Sequence, residues 1–454
     1  MSLDRGRVVV ISARVGAGHD GFTAELSRRL RADGFSVDQL DFVDLLPGPT
    51  GRGSLRLYHQ VLRHTPWLFG ALFEVGTWRP TAAITRLMLV PARRRLEQRL
   101  GPDVRAVVSA YPLASQLVGP LRTSGRLPAA SLAYVTDFAV HRQWVSPGID
   151  VVLCPHEVGT EQARQLGARD ARVGGALVAP GFRPASGTAA DTQSRSLVSP
   201  EFGRTEGRAA AWARAGERAR EAARARFGLP PGPLALVVAG SWGVGRVAVT
   251  AAEIRATGVA TPVVVCGRND ALRRRLARRG LLALGWVSDM PALMRAVDIL
   301  VENAGGLMAM EGIASGLPVV TYRPIPGHGR RSAAALARAG LSDWVRDPRA
   351  LGPTIARLLR DSSNQRRAAR DLFTADAAAI VAELADAARP RGVARVGAST
   401  AEAVSAAGEA PATLVVDEAV DRRRASVLVA PELIDGQTPA VLATAGRQAR
   451  PDRG

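Results

Sequence analysis

The sequence predicts an α/β protein with two parallel-sheet halves, and three observations lead to this prediction. Short apolar, β-branched runs alternate with helical patterns along most of the chain, as in βαβ units. The alternation occurs twice, on either side of a polar segment at 185–206 that has few apolar residues. The chain has 454 residues, whereas a single hydrophobic core seldom serves more than roughly 250 residues.

The first half opens with a βαβ unit. Val8–Ser12 is a continuous apolar run, typical of a strand buried on both faces of a parallel sheet. A turn containing Gly16 and Gly18 follows, then a helical pattern over Phe22–Arg31. The further strands predicted in this half are Val37–Phe42, Ala106–Ser109, Ser131–Thr136 and Asp150–Cys154.

Residues 58–100 form a long stretch with helical periodicity between these strands. It carries tryptophan, phenylalanine and leucine side chains beside three consecutive arginines at 93–95. This composition fits a helix that lies on a membrane surface, and it also fits a core helix of the first half. Both interpretations stay open at the level of the sequence.

The second half begins with a helical pattern over Ala209–Phe227. A second helix is predicted over Met308–Ser315, between two strands. The predicted strands are Leu234–Ala239, Pro262–Cys266, Leu281–Trp286, Ile299–Glu302 and Pro318–Tyr322. The predicted organisation is a first domain at 1–184, a linker at 185–208, a second domain at 209–389 and a disordered tail at 390–454.

Composition narrows the class of protein. All 60 basic residues are arginine and the formal net charge is +19, so the surface attracts polyanions, although a GC-rich genome would also enrich arginine. Two distant cysteines, Cys154 and Cys266, exclude a disulfide framework and a cysteine-based zinc site. No signal-peptide core and no apolar run of ~20 residues occurs, which predicts a cytoplasmic protein, soluble or peripheral on a membrane.

Two groups of candidate residues follow strands of the first half. Gly16, Gly18 and His19 lie between a strand and a helix, where backbone N–H groups can approach a phosphate; a purely structural turn is the alternative. Asp137 follows the strand that ends at Thr136, and the carboxyl ends of parallel strands are where open sheets bind ligands. Asp137 can act as a general base, or it can simply cap the next helix. His141 and Trp144 come shortly after it.

The most specific pattern is a strand, a turn of small residues and a helix over 302–316. The turn presents backbone N–H groups and a helix N-terminus to a diphosphate. Glu311, in the second helical turn, can accept hydrogen bonds from two ribose hydroxyls. The candidate donor-binding residues in this pattern are Asn303, Gly305, Gly306, Leu307, Met308 and Glu311.

Other loops of the second half are predicted to reach the same sheet edge. They can lend N–H groups, an arginine for phosphate, and a backbone or ring contact to a nucleobase. The candidate residues in these loops are Gly240, Ser241, Gly243, Arg268, Trp286, Val287, Gly327 and His328.

Taken together, these motifs resemble the monogalactosyldiacylglycerol synthase group, which are GT-B enzymes of glycosyltransferase family 28 type related to the peptidoglycan enzyme that adds N-acetylglucosamine to lipid I. The resemblance covers about residues 7–375. It is carried by Gly16-Ala17-Gly18-His19, Thr136-Asp137 with His141 and Trp144, Cys154-Pro155 with Glu157, Val173-Gly174-Gly175, Cys266-Gly267-Arg268-Asn269, Gly285-Trp286-Val287, and Ala304-Gly305 with Glu311 and Gly316-Leu317-Pro318.

The resemblance implies a GT-B fold, with two Rossmann-like domains facing across a cleft. It implies a hexosyltransferase that moves a sugar from a UDP-sugar to a lipid such as diacylglycerol, with inversion and without an essential metal or other cofactor. Asp137 is then the base for the acceptor hydroxyl, His19 lies by the acceptor or donor phosphate, and Glu311 holds the ribose. The implied partners are a UDP-sugar, a lipid acceptor and the anionic inner face of the cell membrane.

The sequence departs from the family pattern at three places. In the first glycine loop, Val15 and Ala17 stand where glycine is usual. The usual GPGT turn is Gly306-Leu307-Met308, so Met308 stands where a hydroxyl would meet a phosphate. The usual PGQE loop is Pro326-Gly327-His328-Gly329, which leaves the transferred hexose open. Alternatives are a polyprenyl-linked or soluble acceptor and a UDP-sugar 2-epimerase. A basic nucleic-acid-binding protein lacks a supporting motif, so no nucleic-acid partner is expected.

Overall fold

A computed structural model of the chain describes residues 5–14, 16–48, 51, 53, 57, 60–61, 65–76, 79–183, 202–238 and 240–388. Two six-stranded sheets, all of whose pairings are parallel, form its framework. The first has the order β2-β1-β3-β4-β5-β6, and its strands are β1 Arg7–Ser12, β2 Ser36–Asp41, β3 Val104–Ser109, β4 Ala130–Tyr134, β5 Val151–Cys154 and β6 Ala171–Val173. The second has the order β12-β11-β10-β7-β8-β9, and its strands are β7 Leu234–Val238, β8 Thr261–Val265, β9 Leu282–Leu284, β10 Ile299–Glu302, β11 Val319–Tyr322 and β12 Asp343–Val345.

Helices connect these strands. In the first half they are α1 Ala17–Ala32, α2 Phe42–Leu45, α3 Pro66–Gly76, α4 Arg79–Met88, α5 Val90–Glu97, α6 Pro112–Thr123 and α7 Glu157–Gln165. Those that follow are α8 Phe202–Phe227, α9 Val247–Thr257, α10 Asp270–Ala277, α11 Met290–Ala296, α12 Leu307–Ala314, α13 His328–Arg338, α14 Leu351–Arg360, α15 Ser363–Ala368 and α16 Ala377–Ala387. Single 3₁₀ turns occur at Arg142–Trp144, Pro180–Phe182, Pro348–Ala350 and Arg370–Phe373.

The apolar strands are buried on both faces, as their composition predicts. Residues Val8–Ile11 and Leu234–Val238 are almost wholly inaccessible to solvent because helices cover each side of their sheets. The strand order reverses between β1 and β3 in the first sheet, and between β7 and β10 in the second. The first strand of each half, β1 or β7, therefore borders the reversal point of its sheet. Ligands of open α/β sheets bind at the carboxyl ends of strands beside such a point.

The structure adds two strands that the sequence pattern did not predict, β6 and β12, which have three residues each. It also begins helix α8 at Phe202, earlier than the predicted start at Ala209 and within the predicted linker. The rest of that linker, 185–201, and the predicted tail from residue 390 lie outside the described residues.

Helix α16 packs on the first sheet and on α1. Asp376 caps this helix and also pairs with Arg29 of α1, with 3.1 Å between the charged atoms. Ala377 lies under Gly174, where a Cβ on the glycine would approach to 3.1 Å. The prediction that all of 209–389 belongs to the second domain is therefore wrong for this last helix, which ties the end of the second half to the first.

Among the described residues, no helix combines the length and the apolar composition that crossing a bilayer requires.

Candidate functional site

A cavity of about 190 Å³ lies where the two sheets meet. Its polar side chains from the first half include His19, Asp137 and His141, and His328 comes from the second half. Aromatic rings complete the lining, among them those of Phe69, Phe73 and Tyr111. The structure therefore brings together residues that the sequence assigned separately to the acceptor side and to the donor side.

His19 lies in the first turn of α1, where the helix leaves the Gly16 turn. Its Nδ1 lies 3.1 Å from the carbonyl oxygen of Ala110 and 3.2 Å from Oγ1 of Thr136. A carbonyl only accepts, so Nδ1 carries the proton and Nε2 is the acceptor of the ring. Burial lowers the pKa of His19 in spite of the opposing charge of Asp137. The ring is therefore neutral at physiological pH.

Asp137 and His141 follow β4 on the loop that leads to the 3₁₀ turn at 142–144. Nε2 of His141 lies 3.9 Å from Oδ2 of Asp137. Burial lowers the pKa of His141 to about 4, although Asp137 acts in the opposite direction. Asp137 keeps 18% of its side chain exposed, so a carboxylate stands next to a neutral imidazole at the cavity wall.

Trp144 lies behind this wall and does not line the cavity. Its side chain is fully buried, and its ring centre is 6.2 Å from that of His141. The prediction that Trp144 takes part in the acceptor loop is thus corrected, because the indole is buried in the core and packs beside His141.

On the second half, the predicted donor loops all lie at the carboxyl edge of the sheet. The loop after β7 and the loop after β8 are joined directly, since the Arg268 N–H donates to the Ser241 carbonyl at 2.9 Å. Gly243 has φ +64°, and a Cβ there would come within 2.8 Å of the Cβ of Asn269. Gly240 likewise has φ +65°. Glycine is required in this loop because of its backbone conformation and its close packing.

Trp286 follows β9 and is half exposed. The guanidinium of Arg268 lies 4.7 Å from the centre of its ring, an arrangement that orients both side chains. Val287 differs, because its side chain packs against the core, so that only its backbone can meet a ligand.

The turn after β10 is shaped by Glu302, a residue that the sequence analysis did not select. Its Oε2 accepts hydrogen bonds from the N–H groups of Ala304 at 2.7 Å and Gly305 at 2.5 Å. Its Oε1 accepts one from the hydroxyl of Thr321, also at 2.5 Å. Burial raises the pKa of Glu302, and these three donors oppose the shift. A glutamate that ends a buried strand just before a small-residue turn is a signal that could have found it.

Asn303 links this turn to its neighbours. Its side-chain amide donates to the carbonyl of Val244 at 3.2 Å, and its own carbonyl accepts from Ile325 N at 2.8 Å. Asn303 therefore bridges the loops after β7 and β11, and its contact with the donor stays a prediction.

Glu311 lies in the second turn of α12 and is nine-tenths buried. Burial alone raises the pKa of its carboxyl group to about 8, with no hydrogen bond and no charged neighbour from the described residues contributing. A buried carboxyl group without a protein partner is costly unless a ligand supplies one.

The side chains of Leu307 and Met308 pack against neighbouring parts of the structure. A Cβ on Gly21 of α1 would come within 2.4 Å of Leu307, and one on Gly18 within 3.5 Å. Leu307 thus fills a groove that these glycines leave in α1 and joins the two halves. Met308 packs against the same core. Only the backbone of these two residues, at the start of α12, remains for a phosphate. The backbone contact that the sequence assigned to these residues stays a prediction.

His328 begins α13 after Gly327, which has φ +81°. The imidazole meets the rings of Phe69 and Phe73 with centres 5.7 and 6.1 Å apart. Helix α3 is held there by a 2.6 Å ion pair between Glu74 and Arg331. His328 therefore stands at the junction of the halves, in the same cavity wall as Asp137.

Comparison with known proteins finds one family model that matches part of the first half. The family model described as monogalactosyldiacylglycerol (MGDG) synthase matches residues 24–174. A processive diacylglycerol beta-glucosyltransferase of Bacillus subtilis is 23% identical over 295 residues, which cover 62% of this chain and 68% of that protein. A protein of the same description from Bacillus cereus is 30% identical over 133 residues, or 28% of this chain and 34% of that protein. The chain spans 66% of the Bacillus pumilus relative and 63% of the Bacillus cytotoxicus relative.

Solved structures with a similar arrangement include Acinetobacter baumannii MurG, with a TM-score of 0.48 and 16% identity over 84% of this chain and 99% of that one. Anabaena HepE in complex with UDP-glucose has a TM-score of 0.46 and 14% identity, over 83% and 95% of the two chains. The two six-stranded parallel sheets that meet at one cavity are those of a GT-B fold. The chain is thus similar to monogalactosyldiacylglycerol synthase over residues 24–174, and to diacylglycerol glucosyltransferases over as many as 295 residues.

Proposed function

We propose that this protein transfers a hexose from a UDP-sugar to diacylglycerol, at the cavity between its two sheets. The observation that carries the proposal is the composition of that cavity, in which Asp137 and His19 of the first half face His328 of the second. The curated relatives are described as diacylglycerol glucosyltransferases, which supports this acceptor class.

On the donor side, Glu311 is the proposed partner of the uridine ribose. Its buried carboxyl group has no protein partner in the described part of the chain, and two ribose hydroxyls would supply the missing hydrogen bonds. We place the diphosphate at the start of α12, where backbone N–H groups and the helix dipole favour negative charge, with Arg268 as a further donor.

The proposed chemistry is a direct displacement. Asp137 accepts the proton of the acceptor hydroxyl as its oxygen forms a bond to the anomeric carbon of the sugar. The bond from that carbon to the diphosphate oxygen breaks, and UDP leaves with the electron pair. Attack opposite the leaving group inverts the configuration. In this proposal, His19 and His141 remain neutral and orient the acceptor, since burial lowers the pKa of both.

The lipid acceptor would enter from a membrane surface. Seven of the nine large apolar side chains exposed among the described residues come from 57–88, so this segment is the apolar face of the molecule. Trp67, Leu72 and Val75 on α3 point to solvent, while Phe69 and Phe73 of the same helix line the cavity. In this proposal, the membrane-surface interpretation of the stretch applies to the exposed face of α3, and the core interpretation applies to the face that lines the cavity. Trp78, in the same stretch of the sequence, lies outside the described residues.

The transfer reaction is tested with the purified chain, labelled UDP-glucose, UDP-galactose or UDP-N-acetylglucosamine, and dioleoylglycerol in detergent micelles. We expect a glycolipid from at least one donor, identified by mass spectrometry, and no decrease in the presence of EDTA. Asp137→Asn should lower the rate at least about a hundredfold while UDP still binds, as expected for loss of a general base. Asp170→Asn, on the surface before β6, is the matched control. Absence of any lipid product with all three donors would overturn the proposal.

The membrane surface is tested by flotation with vesicles of dioleoyl phosphatidylcholine and phosphatidylglycerol. Trp67→Ser/Leu72→Ser should reduce the bound fraction several-fold, because each large side chain contributes about 1.5–3 kcal/mol when it leaves water. Transfer to a short-chain soluble diacylglycerol should remain. Equal flotation of the variant and the wild type would show that this face does not contact the bilayer.

A further inference from the structure

A second cavity in the described part of the chain lies outside the proposed catalytic site. It has a volume of about 660 Å³ and opens at the carboxyl edge of the second sheet. The loop after β7 forms one side, the loop after β11 forms the floor, and the end of β12 forms the other side. This volume is within the range of ordinary small-molecule sites, which measure roughly 300–1,000 Å³.

The lining of this cavity, which we call the arginine cavity, has four arginines and no carboxylate. They are Arg246, Arg323, Arg330 and Arg346. Arg323 is neutralised, because it forms a bidentate pair with Glu253 at 2.6 and 3.1 Å. Burial acts to raise the pKa of Glu253, but the hydrogen bonds from Arg323 and Tyr322 hold it below its ordinary value.

The other three arginines are not paired in this way, although Glu253 also attracts Arg246 electrostatically. No carboxylate in the described part of the chain lies within ion-pair distance of Arg246, Arg330 or Arg346. Three guanidinium groups around one concave surface create a positive potential that favours a phosphate, and the planar group of arginine binds phosphate oxygens in pairs.

The wall of the cavity is held in a fixed form. Arg323 is the one non-glycine residue with positive φ, at 52°, among the residues the structure describes. Such a conformation persists where the surroundings hold it, and it often occurs at ligand sites. Here the ion pair with Glu253 holds it, together with the stacking of its guanidinium 5.1 Å from the Tyr322 ring centre.

Apolar groups complete the surface. The guanidinium of Arg346 lies 4.1 Å from the ring centre of Trp344, which orients it at the rim. Pro324, Ile325 and Pro326 supply an apolar floor. A ligand that fits this surface has a phosphate group next to an apolar portion.

The arginine cavity adjoins the donor loops but is separated from them by Asn303. This residue joins Val244 to Ile325 through the hydrogen bonds described above, and both of these line the arginine cavity. Glu311 and Arg268 do not line it. The floor loop also touches α3, since a Cβ on Gly70 would come within 2.7 Å of Pro326. The cavity thus lies between the donor loops and the helix that carries the exposed apolar face.

We propose that the arginine cavity is a second anion site, which binds a phosphate-bearing ligand through Arg246, Arg330 and Arg346. The phosphate can belong to a free small molecule or to the headgroup of an anionic lipid, and the two sources share the same contacts. The inference does not depend on the proposed transfer reaction, because it uses none of the residues assigned to it.

The test uses the full chain and two probes. The first is inorganic phosphate, titrated by calorimetry with UDP present at saturation, so that the diphosphate position is occupied. The second is flotation with vesicles that contain phosphatidylglycerol, compared with vesicles of phosphatidylcholine alone. We expect Arg330→Gln/Arg346→Gln to weaken binding of whichever probe binds the wild type, by at least about tenfold, because charge-assisted hydrogen bonds are lost. UDP affinity should stay within about twofold of the wild type. Arg274→Gln/Arg275→Gln, a pair on the exposed side of α10, is the matched control.

The outcomes distinguish a free phosphate ligand from a lipid headgroup, and they distinguish the arginine cavity from the donor site. Binding of inorganic phosphate that the double variant loses identifies a small-molecule site. A preference for phosphatidylglycerol that only the double variant loses, while Trp67→Ser/Leu72→Ser weakens both kinds of vesicle, identifies a lipid headgroup. The inference is overturned if neither probe binds, if the double variant behaves as the wild type, or if it loses UDP as strongly as Glu311→Gln does. Loss of UDP binding by Glu311→Gln is a separate result, which bears on the donor site alone.

Discussion

Two buried glutamates, nine positions apart, behave in opposite ways. Glu302 ends β10 and accepts hydrogen bonds from two backbone N–H groups and one hydroxyl. Glu311 lies in the helix that follows, and no group of the described residues offsets the burial of its carboxyl. The first has its hydrogen-bonding capacity filled by the protein, which makes it a structural residue. The second retains that capacity, which marks a position for a ligand.

The largest effect in this comparison is expected from replacing Glu311, measured above pH 8, where its carboxyl group is ionised. Glu311→Gln should weaken UDP binding by about tenfold to a hundredfold, because a hydrogen bond to a charged group contributes roughly 1.5–3 kcal/mol. The melting temperature of the unliganded protein should not fall, since no protein contact is lost. Calorimetry and thermal unfolding measure the two quantities, with the exposed Glu383→Gln as control. An unchanged UDP affinity would remove Glu311 from the donor site.

The same substitution at Glu302 should act on stability first. A glutamine has one acceptor oxygen, which can serve the N–H groups of Ala304 and Gly305 or the Thr321 hydroxyl, but not both. We expect Glu302→Gln to lower the free energy of unfolding by about 1–3 kcal/mol, the cost of unmatched buried polar groups. Urea denaturation measures it, and Thr321→Val, which removes one donor only, should cost less. If Glu302→Gln lost UDP binding at full stability, the distinction between the two glutamates would be wrong.

The pH dependence of stability gives a further test of Glu311. Its folded-state pKa of about 8 lies above the ordinary value of 4.5, so the folded chain binds this proton more tightly than the unfolded chain does. The resulting stabilisation is complete below about pH 4.5 and is lost as the pH rises through 8. UDP binding should strengthen over the upper part of this range, as the ionised carboxylate becomes available. In Glu311→Gln both dependences should flatten, and a profile identical to that of the wild type would contradict the assignment.

His141 should contribute a slope of the opposite sign. Its pKa falls from 6.5 to about 4 in the folded chain, because burial dominates over the attraction of Asp137, with His328 and Arg331 adding to the decrease. The stabilisation is present above pH 6.5 and is lost as the pH falls towards 4. His141→Gln should reduce the loss of stability in this window, measured as the melting temperature against pH. A steeper acid loss in the variant would show that His141 is protonated in the folded protein.

The sequence predicted the two parallel sheets because apolar β-branched runs have a single structural solution when both faces are covered. It also selected Asp137, His19 and His328, which the structure brings into one cavity. It did not predict strands β6 and β12, since three residues are too few to show a period. It gave no indication that the Leu307 side chain packs against α1, because position after a strand says nothing about side-chain direction.

The arginine cavity shows a second limit of sequence reasoning. Its lining comes from three separate loops, and in a chain whose 60 basic residues are all arginine no single one stands out. Only the strand order places Arg246 near Arg346, a hundred positions away. Glu302 was missed for a related reason, because its role depends on the donors around it and not on the residue type.

The smallest effect is expected at Trp286, and it distinguishes binding of the uracil base from binding of the ribose. Trp286 is half exposed, and one side of its ring faces Arg268. If the uracil stacks near it, Trp286→Ala should weaken UDP about fivefold, at the low end of the roughly 1–3 kcal/mol per stacked base. Binding of ribose 5-phosphate, which lacks a base, should not change in this variant but should weaken in Glu311→Gln. The distant Trp67→Ala serves as control. Both ligands have the ribose that Glu311 would contact, but only UDP has the base that Trp286 would contact. If Trp286→Ala weakened UDP and ribose 5-phosphate equally, the indole would shape the loop and would not contact the base.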